Sequence, residues 1–274
     1  MVIFYVLYST FTKGFRLFFQ DVKEVKVIKT RMLTNSVKVR YLTYRDMEKL
    51  RQFRRDMIKA IPLLLISIPP FCFPLLFTTR YLFPRQLLIR HFWTPQQHTE
   101  FQGVNHSHRA QHHCAVLKGL ESAGSHVKDS HLLDLCHKVQ SGVHPNISDI
   151  QAFRDLFSGP PLGIKRMNAD QMRQLCLLFF LTPKIATRLN SHGIELLQLD
   201  RALSRHGLHQ LDDSELRQAC YVRGLDSGSL SINQCLEWLS QWLQFSSRLK
   251  ESEVSLLVHS MVLLSTNYPK PYQH

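Results

Sequence analysis

Apolar positions along this chain recur mostly three and four residues apart, and strand-like alternation is convincing nowhere. That periodicity predicts an all-α fold. The start, MVIFYVLYSTF, is apolar and continues into KGFRLFFQDVKEVKVIKTR, where Phe11, Phe15, Phe18, Phe19, Val22 and Val25 share one helical face. A second stripe runs through Met47, Leu50, Phe53 and Met57, with Arg45, Lys49, Arg51, Arg54, Arg55 and Lys59 between. A basic helix with an aromatic face either packs on protein or lies on a membrane surface. Position just upstream of a long apolar run puts the two readings level.

That run extends from Ala60 to Thr79, 20 residues without a charge, interrupted by prolines at 62, 69, 70 and 74. At about 1.5 Å rise per residue it matches the roughly 30 Å hydrocarbon layer of a bilayer. It begins too late to be a cleavable secretory signal. Proline removes a backbone donor, which is costly in a soluble helix and tolerated where neighbours in a membrane re-satisfy the freed groups. The expectation is a single span kinked near Pro69 and Pro70, with a buried hairpin and a re-entrant segment as alternatives.

After Trp93 the pattern is that of a soluble helical region, punctuated at Ser158-Gly159-Pro160-Pro161 and Thr182-Pro183. Asn168 is placed to cap a helix whose apolar face is Met172, Leu175, Cys176, Phe179 and Phe180, with Pro183 as its stop. A shorter helix from Ile194 to His206 meets Gly207. In LDDSELRQACYVRGLDSGSLSINQCLEWLSQWLQF, the pairs Asp212/Glu215 and Ser231/Gln234 have capping-box spacing, and Gly224 sits where a left-handed helix stop belongs. Leu236, Leu239, Trp242 and Leu243 line the helix after it, and a last apolar run covers Val254 to Leu264.

The net charge of +13 is distributed unevenly. Residues 1–59 hold 14 Lys or Arg against 5 Asp or Glu, residues 60–99 add only Arg80, Arg85 and Arg90, and residues 100–274 hold 17 against 16. Basicity therefore flanks the apolar run, and the C-terminal region lacks the broad positive field that would grip nucleic acid. The six cysteines, at 72, 114, 136, 176, 220 and 235, contain no CxxC pair and read as buried thiols in a reducing compartment.

Two blocks carry a resemblance. RQFRRDMIKAIPLLLISIPPFCFPLLFTTRYLFPRQLLIRHFWTPQQ and QLDDSELRQACYVRGLDSGSLSINQCLEWLSQWLQFSSRLKESEVSLLVHSMVLLSTNYP together resemble the mitochondrial leucine-zipper/EF-hand-containing transmembrane (LETM) family, in its short form that carries only the shared domain. The resemblance extends over roughly residues 4–268. It aligns the family's Leu-Phe-Pro turn with Leu82-Phe83-Pro84, and its SAP-like helix, loop and helix with Glu215 to Leu243, turning at Arg223-Gly224-Leu225. It implies a single-pass mitochondrial protein, usually of the inner membrane, with a ribosome-binding-like helical domain and links to cation and proton homeostasis, organelle shape and respiratory-chain biogenesis. The chain departs from the family in lacking a D-x-[DN]-x-[DN]-G calcium loop, a sustained heptad repeat and a basic, Ser-rich presequence.

Motifs for a nucleophile elbow, a zincin, a phosphate loop and a dinucleotide fold are all absent, so the expected function is non-enzymatic and without cofactor. The histidines of NHSHRAQHHC, His106, His108, His112 and His113, lack a second ligand cluster and are read as a polar surface run. Lys165, Arg166 and Arg173 gather near a helix start, while Arg217 and Arg223 do not share a narrow face. The expected lipid or partner contacts are Arg45, Lys49, Arg51, Arg54, Arg55, Lys59, Arg80, Arg85, Arg90, Arg217 and Arg223.

The resulting organisation is a basic amphipathic arm over 1–59, a kinked span over 60–79, a juxtamembrane turn over 80–99, a helical family domain over 100–268 and a tail over 269–274. The chain is read as an adaptor in the mitochondrial inner membrane, with the outer membrane as alternative. It would contact anionic lipid and a protein partner, the mitochondrial ribosome being the family's candidate, and no DNA. Participation in cation/proton exchange is the second reading; against it, Ala60 to Thr79 holds no ionisable residue. Seven Lys or Arg lie in the 20 residues before the run and three in the 20 after it. This bias favours an N-terminal arm on the matrix or cytosolic side, whereas the family resemblance places the helical domain in the matrix.

Overall fold

A computed structural model describes residues 2–36, 39–67, 91, 93, 95–181 and 186–268, and among them every regular element is helical. The chain divides into two compact units, Met1–Gln102 and Gly103–His274.

In the first unit, α1 (Val2–Thr34) and α2 (Tyr44–Ser67) pack as an antiparallel hairpin. The pairings that fix its register are Phe18 stacked on Phe53 at 6.1 Å and Lys49 Nζ donating to Glu24. Val25, Ile28, Leu42, Tyr44 and Met47 are buried along the seam. The two apolar stripes therefore meet one another, at least over these residues, and the protein-packing reading of the arm holds there. α2 runs on through Pro62 to Ser67, where the described part of the expected span stops; the kink at Pro69 and Pro70, the turn at Leu82-Phe83-Pro84, and Arg80, Arg85 and Arg90 lie outside the described residues. No helix among the described residues is long and apolar enough to cross a membrane.

The second unit is assembled from α3 (Pro95–Val127, which begins in the first unit), α4 (Ser130–Gln140), α5 (Ile147–Gln151), α6 (Ala169–Leu178), α7 (Ala186–His206), α8 (Asp213–Val222), α9 (Ile232–Ser246) and α10 (Val254–Ser265). All twelve residues of α10 are buried. A helix apolar all round belongs at the centre of its domain. Two of its serines are satisfied within the helix, Ser260 Oγ donating to Leu256 O at 2.8 Å and Ser265 Oγ to Met261 O, while Ser255 Oγ donates to Leu162 O outside it. α7 approaches α10 so closely that a Cβ on Gly193 would stand 2.2 Å from Val254 Cγ1. A side chain at 193 would have to displace Val254, so this close approach depends on glycine there.

Local signals place several boundaries. Asn168 caps α6, and both capping boxes form, with Asp212 accepting from Glu215 N at 2.7 Å and Ser231 from Gln234 N at 3.2 Å. Gly224, at φ 98°, ends α8 in a left-handed stop, Leu225 N donating to Cys220 O at 3.2 Å. α6 ends earlier than the Pro183 signal implied. Phe180 adopts φ 56° and the Leu181 N to Cys176 O bond of 2.8 Å closes the helix there. α7 begins at Ala186, eight residues before the expected start, and Gly207 follows it.

Three helices are joined by one buried charge. Asp200 on α7, 0% exposed, accepts from Arg223 Nε at 2.7 Å and from Trp242 Nε1 on α9 at 2.9 Å. Arg223 also donates through Nη1 to Ala219 O at 2.6 Å. Trp238 stacks on Trp242 at 5.4 Å and donates to Leu264 O of α10 at 3.0 Å. Arg223, expected at a partner surface, is 1% exposed and belongs to this joint. The reason is its place as the C-cap of α8, from which its side chain turns inward to the carboxylate 23 residues upstream.

A second polar joint crosses the core. Gln171 Nε2 on α6 donates to Val116 O of α3 at 3.0 Å and to His259 Nε2 of α10 at 3.1 Å, while His259 Nδ1 donates to Ser255 O at 2.7 Å. This pattern requires a neutral ring protonated at Nδ1. Burial holds the His259 pKa down at about 4, opposed by the Ser255 carbonyl. His113, paired with Thr266 Oγ1 at 3.1 Å, is likewise lowered to about 4, by burial first and then by His106, Arg109 and His112.

Two outcomes are expected from these joints. Arg223→Met should lower the unfolding free energy by about 3 to 5 kcal/mol in urea titration, because Asp200 is left charged and unpaired, and adding Asp200→Leu should recover part of that loss. Second, a histidine whose folded pKa lies below its unfolded value binds more protons when unfolded, so stability should fall as pH drops from about 6.5 towards 4, by on the order of 3 kcal/mol for His259. At pH 5 the NMR shifts of His113 and His259 should still be those of neutral imidazole.

Candidate interaction surface

The basic residues divide according to what they touch. On α2, Arg45, Lys49, Arg54 and Arg55 are exposed, Lys49 being engaged with Glu24, and Lys59 is half-buried with Nζ 5.7 Å from the centre of the Trp93 ring. Arg51 is a correction to the expected lipid-facing set. Only 3% exposed, it directs Nη1 to both carboxylate oxygens of Glu48 at 3.2 Å, because it falls one turn from Met47 and Glu48 on the face that is buried. The exposed apolar residues at the end of α2, Ile58 and Ile61, follow Arg54 and Arg55 directly.

On α1, Arg16, Phe19, Gln20 and Lys23 line a shallow surface depression. Their spacing of three and four residues sets a 59% exposed phenyl ring between two exposed cations. Phe19 has the spacing of this helix's apolar face, yet it points outward on the side opposite Val25 and Ile28.

In the second unit, Arg217 is committed to structure. Its Nη1 donates to Leu230 O at 3.0 Å and to Ser227 O, holding the loop between α8 and α9 against the helix that precedes it. Arg217 and Arg223 therefore organise the helix, loop and helix from within. Lys165, Arg166 and Arg173 are exposed, and their side chains make no ion pair or hydrogen bond among the described residues. They flank the N-terminus of α6, whose first turn also carries Asp170.

The histidine segment lies in α3 and does not form a metal site; among the described residues no group of three or more His, Cys, Asp or Glu is placed to hold a metal ion. Nor is it wholly a surface run. His108 is exposed, His112 Nδ1 pairs with Gln174 Oε1 at 2.9 Å, and His113 is buried. One further residue of that segment reaches other elements and carries no signal of it in the sequence. Arg109 donates to Tyr221 O at 2.7 Å and places its guanidinium 4.5 Å from the Tyr221 ring centre and 5.5 Å from that of Phe180. Phe180, in its left-handed conformation, is 52% exposed over this buried cation. A non-glycine residue held at positive φ stores strain.

Four cysteines, at 136, 176, 220 and 235, are buried as the sequence implied, while Cys114 is exposed and Cys72 lies outside the described residues.

Comparison with known proteins agrees with the helical organisation. A family model described as "LETM1-like, RBD" matches residues 42–263. The "LETM1 domain-containing protein 1" of Xenopus tropicalis is 50% identical over 274 residues, covering 97% of this chain and 78% of that protein. Its namesake in Homo sapiens is 46% identical, covering 97% and 76%. A "Mitochondrial proton/calcium exchanger protein" of Drosophila melanogaster is 25% identical over 268 residues, covering 92% of this chain and 26% of the fly protein. With its match to the family model and these relatives along nearly its whole length, the chain belongs to the LETM1-like family.

Proposed function

We propose that this chain is a non-enzymatic adaptor of the mitochondrial inner membrane, held there by its first unit and presenting the second to a protein partner. The observation that carries this reading is the exposed face of the hairpin. Arg16, Phe19 and Lys23 on α1, and Ile58 and Ile61 after Arg54 and Arg55 on α2, combine cations with outward apolar side chains. A surface of that composition suits an anionic headgroup layer, where each Lys or Arg contributes about 1 kcal/mol. The uncharged sequence from Ala60 to Thr79 would continue α2 into the bilayer as a span.

The partner-facing cations of the second unit are Lys165, Arg166 and Arg173, which no intramolecular bond occupies among the described residues. The family's ribosome-binding-like character makes the mitochondrial ribosome the first partner to test. Support for respiratory function and mitochondrial organisation would follow from tethering such a partner at the membrane.

Participation in cation and proton exchange is the second reading, favoured by the name of the fly relative. It requires groups beyond one chain's uncharged run, and so an assembly of several chains.

For the membrane contact, Arg16→Glu with Lys23→Glu should weaken binding to cardiolipin-containing vesicles at least about tenfold, with wild-type binding falling as salt rises. Equal binding of wild type to neutral vesicles in high salt would overturn it. For the partner, Lys165→Glu, Arg166→Glu and Arg173→Glu together should abolish co-sedimentation with mitochondrial ribosomes while changing unfolding stability by no more than about 0.5 kcal/mol per site.

A further inference from the structure

Two sulfurs are brought together by the helix, loop and helix from Asp213 to Ser246. Cys220 lies in the last turn of α8 and Cys235 in the first turn of α9, and neither has any exposed surface. The Gly224 stop and the Arg217 bonds to the loop carbonyls fold α9 back so that Cys220 Sγ donates to Cys235 O at 3.4 Å. That bond sets the Cys220 sulfur against Cys235, and each thiol lies near enough to perturb the ionisation of the other. Neither residue has a role in the membrane or partner contacts proposed above.

The two sulfurs differ in environment. Cys235 sits in the first turn of a helix, beside the Cys220 thiol and near the Arg217 guanidinium, which favour its thiolate against the opposing effect of burial. The neighbouring Cys220 thiol, with Arg217 adding to it, holds the Cys235 thiol below its ordinary range, while Cys220 is pushed up by Cys235 and by burial. The other buried thiols have no such partner. Burial raises Cys176, and raises Cys136 to about 12 with Glu121 adding to it. One cysteine of the pair is thus poised to attack and its neighbour to resolve, the arrangement that redox-sensing thiols require.

We propose that Cys220 and Cys235 are a peroxide-oxidised dithiol/disulfide couple that reversibly links α8 to α9. The Cys235 thiolate attacks one oxygen of hydrogen peroxide; an S–O bond forms, the O–O bond breaks, and the departing hydroxide takes up a proton to leave as water. Cys220 sulfur then attacks the Cys235 sulfenic acid. The S–S bond forms, the S–O bond breaks, and the leaving hydroxide accepts the Cys220 proton to give a second water. Two electrons pass from the two sulfurs to the peroxide. Burial selects the oxidant by size, since peroxide is scarcely larger than water, whereas a glutathione disulfide reaches these sulfurs only if the helices separate.

The test treats the full-length chain with stoichiometric hydrogen peroxide or, separately, with oxidised glutathione. Remaining thiols are then blocked with N-ethylmaleimide in denaturant and the peptides mapped without reduction. The expected result with peroxide is loss of both thiols at 220 and 235, appearing as one linked peptide pair lighter by two hydrogens and restored by dithiothreitol. Cys136 and Cys176 should remain fully alkylated, and oxidised glutathione should act more slowly. In Cys220→Ala, a sulfenic acid should persist on Cys235 and be trapped by dimedone. The proposal fails if Cys220 and Cys235 stay as free as Cys136 after peroxide, or if Cys235 passes to sulfinic acid in the wild-type chain with no linked pair. The wild-type map decides the matter even if the alanine variant does not fold.

Discussion

The carboxylate of Asp200 sets the terms for the second unit. A fully buried negative charge is tolerable only when its oxygens are occupied, and here a guanidinium from the end of α8 and an indole N–H from α9 supply the partners. Because those donors come from different helices, α7, α8 and α9 must reach their native relation together or the charge is stranded. The adjoining tryptophan stack carries the same constraint to α10 through the Trp238 bond to Leu264 O. Hydrophobic burial supplies most of the driving force for such a core and is nearly indifferent to register. The Asp200 joint specifies which register is the right one.

This division of labour explains what could be read along the chain. Caps are local, so the Asp212/Glu215 and Ser231/Gln234 boxes, the Asn168 cap and the Gly224 stop were legible from spacings of two to four residues. The destination of Arg223 was not, because an arginine beside a helix-ending glycine looks the same whether it faces water or a carboxylate on another helix. Arg51 misled in the same way, since a basic stretch hides which of its members turns inward. The end of α6 was missed for a different reason: the left-handed stop there is Phe180, a residue whose type gives no sign of that conformation. For the surface, the sequence grouped Lys165, Arg166 and Arg173 near a helix start but chose Arg217 and Arg223 as contacts, and it had no means of seeing Arg109 beside the rings of Tyr221 and Phe180.

The charges that remain on the surface therefore carry more information than the net balance of the second unit did. That region is nearly neutral by count, yet part of its positive charge is spent internally on Asp200, Glu253 and loop carbonyls. Among the outward cations, Lys165, Arg166 and Arg173 gather at the entry to α6 with no intramolecular partner among the described residues. The family relation and this residual surface are independent reasons to regard the unit as something that docks. The hairpin carries a chemically different surface, in which outward cations stand beside exposed apolar side chains.

The burial of α10 on every side has a consequence in time. Ribosomes deliver a chain from its N-terminus, and α3 to α9 all precede the helix around which they close. Until Val254 to Ser265 have emerged, those faces of the earlier helices that pack on α10 stay uncovered. During synthesis the unit therefore carries open apolar surface until its last helix arrives, and it closes late.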